Sequence, residues 1–242
     1  MGRPANILAR PAPKEAASPM AKTQSEKSLV LIVDDHPLFR EGMRQMIDRN
    51  PPLKVCGEAA NPAAAMKAVA KLKPDLVLVD ISLEGGDGID LIKSLKAEYE
   101  ELPILVISMH NESLYAERAL RAGALGYVMK SEPARTVRAA IFKVLGGDIF
   151  LSEKMSASVL ARSMHGRSEP PVSPVEQLSN RELQVFQMLG EGKPSRQIAE
   201  ELDLTIPTIH SFRTRIKEKL RFQNATELVL RANQWVRERS AK

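Results

Sequence analysis

The chain has 242 residues, 43% hydrophobic and 27% charged, a balance that suits two modest globular domains and excludes wholesale disorder. No stretch approaches the ~18 apolar residues that span a bilayer, and a single cysteine, Cys56, excludes an intrachain disulfide and points to a reducing cytoplasm. The formal charge of +5 is uneven: residues 28–150 sum to −2 and residues 177–242 to +4, which makes the C-terminal part the candidate polyanion binder.

In chain order, residues 1–27 mix Pro, Ala, Ser and Lys without the apolar core of a signal peptide, and read as a disordered tail. From Ser28 to Leu145 short apolar runs alternate with longer amphipathic ones. Strands are expected at Leu29–Val33, Leu53–Glu58, Leu76–Val79, Ile104–Ile107 and Leu125–Met129. Helices are expected at Pro37–Asp48, Ala63–Leu72, Ile89–Lys96, Leu114–Ala122 and Pro133–Leu145. Cys56 lies within the second strand run and is expected to be a small buried thiol. Five strand-helix units imply a doubly wound, five-stranded parallel sheet of the flavodoxin-like kind, with chemistry beyond the carboxyl ends of the strands.

Those ends carry Asp34 and Asp35 after the first strand, Asp80 after the third, Ser108 after the fourth, and Lys130 after Tyr127 in the fifth. Three converging carboxylates repel one another unless a cation intervenes, and hard oxygen ligands call for Mg²⁺. A carboxylate so neutralised is suited to attack phosphorus, with Lys130 holding a phosphoryl oxygen and Ser108 donating a hydrogen bond to it. One Asp after a strand is often only a helix cap, but helix capping requires neither the ammonium nor the hydroxyl. Four histidines, His36, His110, His165 and His210, share no metal-ligand spacing and exclude a zinc site; His36 and His110 read as surface or capping residues.

Val33-Asp34-Asp35-His36-Pro37-Leu38-Phe39-Arg40-Glu41-Gly42, Val79-Asp80 and Gly126-Tyr127-Val128-Met129-Lys130 resemble the receiver domain of two-component response regulators. The resemblance implies that a histidine kinase phosphorylates Asp80, that Mg²⁺ is held by Asp34, Asp35, Asp80 and the backbone carbonyl of Ser82, and that Ser108 and Tyr127 switch together. Tyr127 as a half-buried packing aromatic is the alternative. A haloacid dehalogenase-like phosphotransferase would need an acid two residues after the nucleophile, where this chain has Ser82, so no enzyme is expected.

Residues 151–176, with Ser-Glu-Pro-Pro-Val-Ser-Pro at 168–174, read as a linker with a short helix at Met155–Met164. Ser179 and Glu182 spell a capping box for a helix carrying Leu183, Phe186 and Leu189, which Gly190 and Gly192 should stop. Ser195 is expected to cap a short helix through Glu201, and Asp203-Leu204-Thr205 to turn into a third. There Ile209, Phe212, Ile216 and Leu220 should face the core, with Pro207 harmless in the first turn. Arg213, Arg215, Lys217, Lys219 and Arg221 should face away as phosphate contacts, and Thr208, His210 and Ser211 are placed to read base edges. A fourth helix is expected over Thr226–Val236, amphipathic through Leu228, Leu230 and Trp235.

Leu178 to Leu228, through Leu-Ser-Asn-Arg-Glu, Ser195–Leu202 and Asn224–Leu228, resembles the LuxR-type helix-turn-helix domain of NarL/FixJ regulators. The chain departs from that pattern at Ile209-His210-Ser211-Phe212, where the family has Val-Lys-x-His, and at Arg221, where it often has Gly. The resemblance implies an all-α four-helix domain over 177–242, binding to double-stranded promoter DNA, and homodimers paired through the fourth helix, which otherwise only closes its own domain. The expectation is a cytoplasmic transcription regulator with no membrane contact.

Overall fold

Runs of Val, Leu and Ile too short for helices form one parallel sheet, because branched side chains suit a pleated surface covered on both faces. The computed structural model describes residues 27–157 and 174–240. Its strands β1 (Ser28–Val33), β2 (Leu53–Ala59), β3 (Leu76–Val79), β6 (Ile104–Ser108) and β7 (Gly126–Met129) lie in the order β2-β1-β3-β6-β7, each pair parallel. Helices α1 (Pro37–Asp48), α2 (Pro62–Leu72), α3 (Gly88–Glu98), α4 (Glu112–Arg121) and α5 (Ala134–Leu145) cross between the strands and follow the last one. Alternation along each strand splits the core: Val30, Ile32, Leu76 and Leu78 pack with Met43 and Ile47 of α1 and Val137 and Ile141 of α5. Leu31, Val33, Val77 and Val79 pack on the other face with residues of α2, α3 and α4.

The expected elements are present within two residues at each end, with one addition. Two-residue strands β4 (Ser82–Leu83) and β5 (Gly86–Asp87) pair as a small antiparallel hairpin between β3 and α3. The run was too short to carry a period. Cys56 is half-buried rather than buried, because β2 is the edge strand of the sheet.

The C-terminal part contains α6 (Asn180–Gly190), α7 (Ser195–Glu201), α8 (Ile206–Leu220) and α9 (Ala225–Ser240), preceded by a 3-10 turn at Pro174–Gln177. The Ser179–Glu182 capping box forms as its spacing requires. Three local readings are corrected. Pro194 occupies the N-cap of α7, leaving Ser195 as its first residue, since no side chain caps that helix. Gly190 is the last residue of α6 and is there for packing, since a Cβ would strike the Ala232 carbonyl of α9; Gly192, at φ 85°, follows the cap residue. On α9 the inward stripe is buried Leu228 and Ala232 with half-buried Trp235, at helical spacing, while Leu230 points to solvent. The tail at 1–27, except Lys27, most of the Met155–Met164 helix and the linker core with His165 lie outside the described residues.

Candidate functional site

The strand order reverses beside β1, so the crevice between the carboxyl ends of β1 and β3 is where a doubly wound sheet collects ligands. Asp34 and Asp35 leave β1 there and Asp80 leaves β3. Lys130, just past β7, reaches across: its Nζ lies 2.6 Å from Asp34 Oδ2 and 2.7 Å from Asp80 Oδ2. All three side chains are under 7% exposed, so their charges are weakly screened. Burial pushes the Asp34 carboxyl up, with the Asp80 charge adding to it against the pull of Lys130. Burial disfavours the Lys130 ammonium too, but the carboxylates outweigh it and hold its pKa above the usual lysine value.

One ammonium does not balance three carboxylates. Asp80 Oδ1 is buried without a hydrogen-bond partner, Asp35 Oδ1 has only the exposed His36 ring beside it, and one ligand atom each from Asp34, Asp35, His36 and Asp80 all lie within 4.8 Å of one another. Acidic oxygens at this spacing fit a divalent cation with oxygen preference. The Ser82 side chain turns the other way, its Oγ 2.8 Å from His110 Nε2.

Supporting residues escape sequence reading. Arg40 Nη1 donates to the Asp34 carbonyl at 2.7 Å while its Nε pairs with Glu58, which Arg44 also holds. The Phe39 ring lies 4.3 Å from Lys130 Nζ, a cation–π contact. Gly88 admits no side chain, because a Cβ would strike the Asp80 carbonyl. Such contacts join residues far apart in sequence, and no local pattern announces them.

Ser108 is fully buried, and its Oγ accepts a hydrogen bond from the His110 amide at 3.4 Å. Tyr127 lies inward, 1% exposed, donating from its hydroxyl to the His110 carbonyl at 2.8 Å; burial pushes its pKa up. His110 is therefore not a surface or capping residue: its ring also stacks on Tyr115 at 4.6 Å, and burial pulls its pKa down. His36 is exposed, with Nδ1 2.6 Å from Asp35 Oδ1.

The second candidate surface is α8. Thr205 caps it by accepting from the Thr208 amide, and Ile209, Ile216 and Leu220 are buried against α6 and α9. Phe212 packs half-buried on the same core, as its place in the stripe requires. His210, Ser211 and Arg215 are exposed, Thr208 and Lys217 half so. Two of the basic residues are engaged internally: Arg213 donates to Ser195 Oγ at 2.8 Å, and Lys219 pairs with buried Glu182 at 2.6 Å.

Residues 30–142 match the response regulator receiver domain family, and residues 176–232 the luxR family of bacterial regulatory proteins. Over 84% of its length, and 96% of the relative's, the chain is 32% identical to the transcriptional regulatory protein LiaR of Bacillus subtilis. The chain is a LuxR-type response regulator. This regulator is also 29% identical to the nitrate/nitrite response regulator protein NarL of Escherichia coli, over 88% of its own chain and 98% of NarL. Among solved structures, RcsB from Salmonella enterica serovar Typhimurium, bound to promoter rprA in the presence of the phosphomimetic BeF3-, matches with a TM-score of 0.54 at 28% identity. That match covers 84% of the regulator and 97% of the RcsB chain.

Proposed function

We propose that this response regulator takes a phosphoryl group from a sensor histidine kinase onto Asp80, and that the modification governs how residues 177–242 engage promoter DNA in the cytoplasm. The observation that carries the reading is the buried Asp34–Lys130–Asp80 bridge, with an unpaired oxygen on Asp80 beside it. Asp80 acts as the acceptor: its carboxylate oxygen bonds to phosphorus while the P–N bond of the donor's phosphoimidazole breaks, and the electron pair returns to the imidazole nitrogen. Lys130, already bound to Asp80, is positioned to follow a phosphoryl oxygen. Ser108, at the end of the neighbouring strand, supplies a hydroxyl whose hydrogen bond to phosphate exists only after transfer. Asp34, Asp35, Asp80 and the Ser82 backbone carbonyl would hold Mg²⁺, which supplies charge neutralisation at the incoming phosphoryl oxygens.

We read residues 28–150 and 177–242 as separate domains joined by a linker at 151–176. His210 and Ser211 at the exposed start of α8 are assigned to base edges with Thr208, and Arg215 and Lys217 to phosphates. Arg213 and Lys219 serve DNA only if they leave Ser195 and Glu182. Leu230, exposed on α9, is the anchor of a homodimer on paired half-sites.

Intact mass after incubation with acetyl phosphate and Mg²⁺ tests the acceptor. A phosphoryl-sized gain is expected, abolished by chelator and by Asp80→Ala. An equal gain in the variant overturns the assignment.

A further inference from the structure

The acids at the ends of β1 and β3 share their crevice with an imidazole. His36 Nδ1 lies 2.6 Å from Asp35 Oδ1 and 3.4 Å from Asp34 Oδ1. One nitrogen of the ring and one oxygen each of Asp34, Asp35 and Asp80 fall within 4.8 Å of one another, so the ring stands inside the cluster of ligand atoms.

Local structure fixes the backbone that carries this ring. His36 is the N-cap of α1, and Pro37 after it keeps its backbone extended, at φ −86° and ψ 108°. Its amide donates to Asp34 Oδ1 at 2.9 Å, and its carbonyl accepts from the Arg40 amide at 3.1 Å. N-cap side chains commonly turn back onto their helix, but the His36 ring makes no such bond. The side chain is 67% exposed, so neither capping nor core packing accounts for its place against the acids.

Charge and ligand softness decide what such a site takes. Asp34, Asp35 and Asp80 against the single Lys130 ammonium leave two formal negative charges, which one divalent cation balances. Asp80 Oδ1, buried without a hydrogen-bond partner, marks the inner side of the site, and His36 stands at its solvent side. A neutral imidazole adds a ligand there without adding charge. Mg²⁺ prefers oxygen and gives up its waters reluctantly, so a ring nitrogen does little for it. First-row transition ions accept nitrogen more readily.

We propose that His36 is a ligand of the cation that Asp34, Asp35 and Asp80 bind, and that its ring nitrogen raises the preference of the site for Mn²⁺ over Mg²⁺. The proposal rests on the cation reading of this pocket and adds which ion the chain selects. Asp80 remains the phosphoacceptor with either ion; what changes is how little Mn²⁺ suffices to load the pocket.

The test uses full-length, unphosphorylated protein, with MgCl₂ or MnCl₂ as titrant in calorimetry and electron spin-echo spectroscopy of bound Mn²⁺. Wild type is expected to bind Mn²⁺ at least about tenfold more tightly than His36→Ala or His36→Gln, the lower end of what losing a supporting group costs a metal site. Mg²⁺ affinity should stay within about twofold across wild type and both variants, because Mg²⁺ gains little from nitrogen. The wild-type spectrum should carry a nitrogen modulation that isotope labelling of histidine alters and His36→Gln removes. Melting curves check that the variants fold, as an exposed ring without a capping bond leads one to expect. Equal Mn²⁺ affinity in wild type and both variants, or a wild-type spectrum without histidine nitrogen, overturns the ligand and leaves the cation reading standing. A parallel loss of Mg²⁺ and Mn²⁺ in the variants makes His36 a residue that orients Asp35, and overturns the selectivity. Wild type that binds neither ion removes the cation reading, and the His36 ligand with it.

Discussion

Arg221 shows how a single backbone angle explains a departure from the family pattern. It caps α8 at φ 56°, in the left-handed region where a side chain crowds the carbonyl, and this is the position where the resemblance to the LuxR-type pattern leads to an expectation of Gly. Its side chain is exposed, so relief of strain should dominate a substitution. Arg221→Gly is expected to raise the stability of the C-terminal half by roughly 1 kcal/mol in denaturant unfolding; a loss instead would mean that Arg221 makes a contact the geometry does not show. The pocket residues were legible one by one, because each follows an apolar run that could only be a strand. Their bonds were not. Nothing local predicts that Lys130 bridges Asp34 and Asp80, or that His110 is a junction and not a surface residue.

Glu182 ties helix capping to tertiary packing. Its carboxylate closes the capping box of α6 and pairs with Lys219 of α8. Burial alone would raise its pKa, but the hydrogen bonds from Lys219 and Ser179 outweigh that and hold it below the ordinary 4.5. A depressed carboxyl contributes stability that is complete above its unfolded value and is lost as pH falls through its folded one. The C-terminal half should therefore melt progressively earlier below about pH 4.5. Glu182→Gln, which can still complete the box, should lose about 1 kcal/mol at neutral pH, allowing for a partly exposed Lys219, and show a flatter acid profile. Equal acid profiles by calorimetry would remove the pair from the account. The box was readable from Ser179 and Glu182 alone, because capping is a four-residue affair. The Lys219 partner lies 37 residues away and was read instead as a phosphate contact.

At the scale of the whole molecule, α9 leaves apolar side chains exposed, Leu230 foremost among them. Leu230 is 65% exposed and plays no part in its own core, so Leu230→Lys should leave the melting of the monomer unchanged while abolishing dimer formation on paired half-sites, read by sedimentation with DNA. A dimer that survives the change places the interface elsewhere. The sequence reading grouped Leu230 with Leu228 and Trp235 in one amphipathic pattern, whereas Ala232 completes the inward stripe and the neighbouring helix α6 decides which side of α9 is covered. The sequence by itself determined the alternation of strands and helices, the acids at the strand ends, the capping box and the core face of α8, all of which follow from the side-chain period of each element and the chemistry of its ends. Tertiary structure alone decided the Lys130 bridge, the inward Tyr127, the internal use of Arg213 and Lys219, and the docking of Asn180 between Arg118 and Asp87. Each of those joins residues well apart in the chain, and only folding fixes which distant partner satisfies a buried polar group.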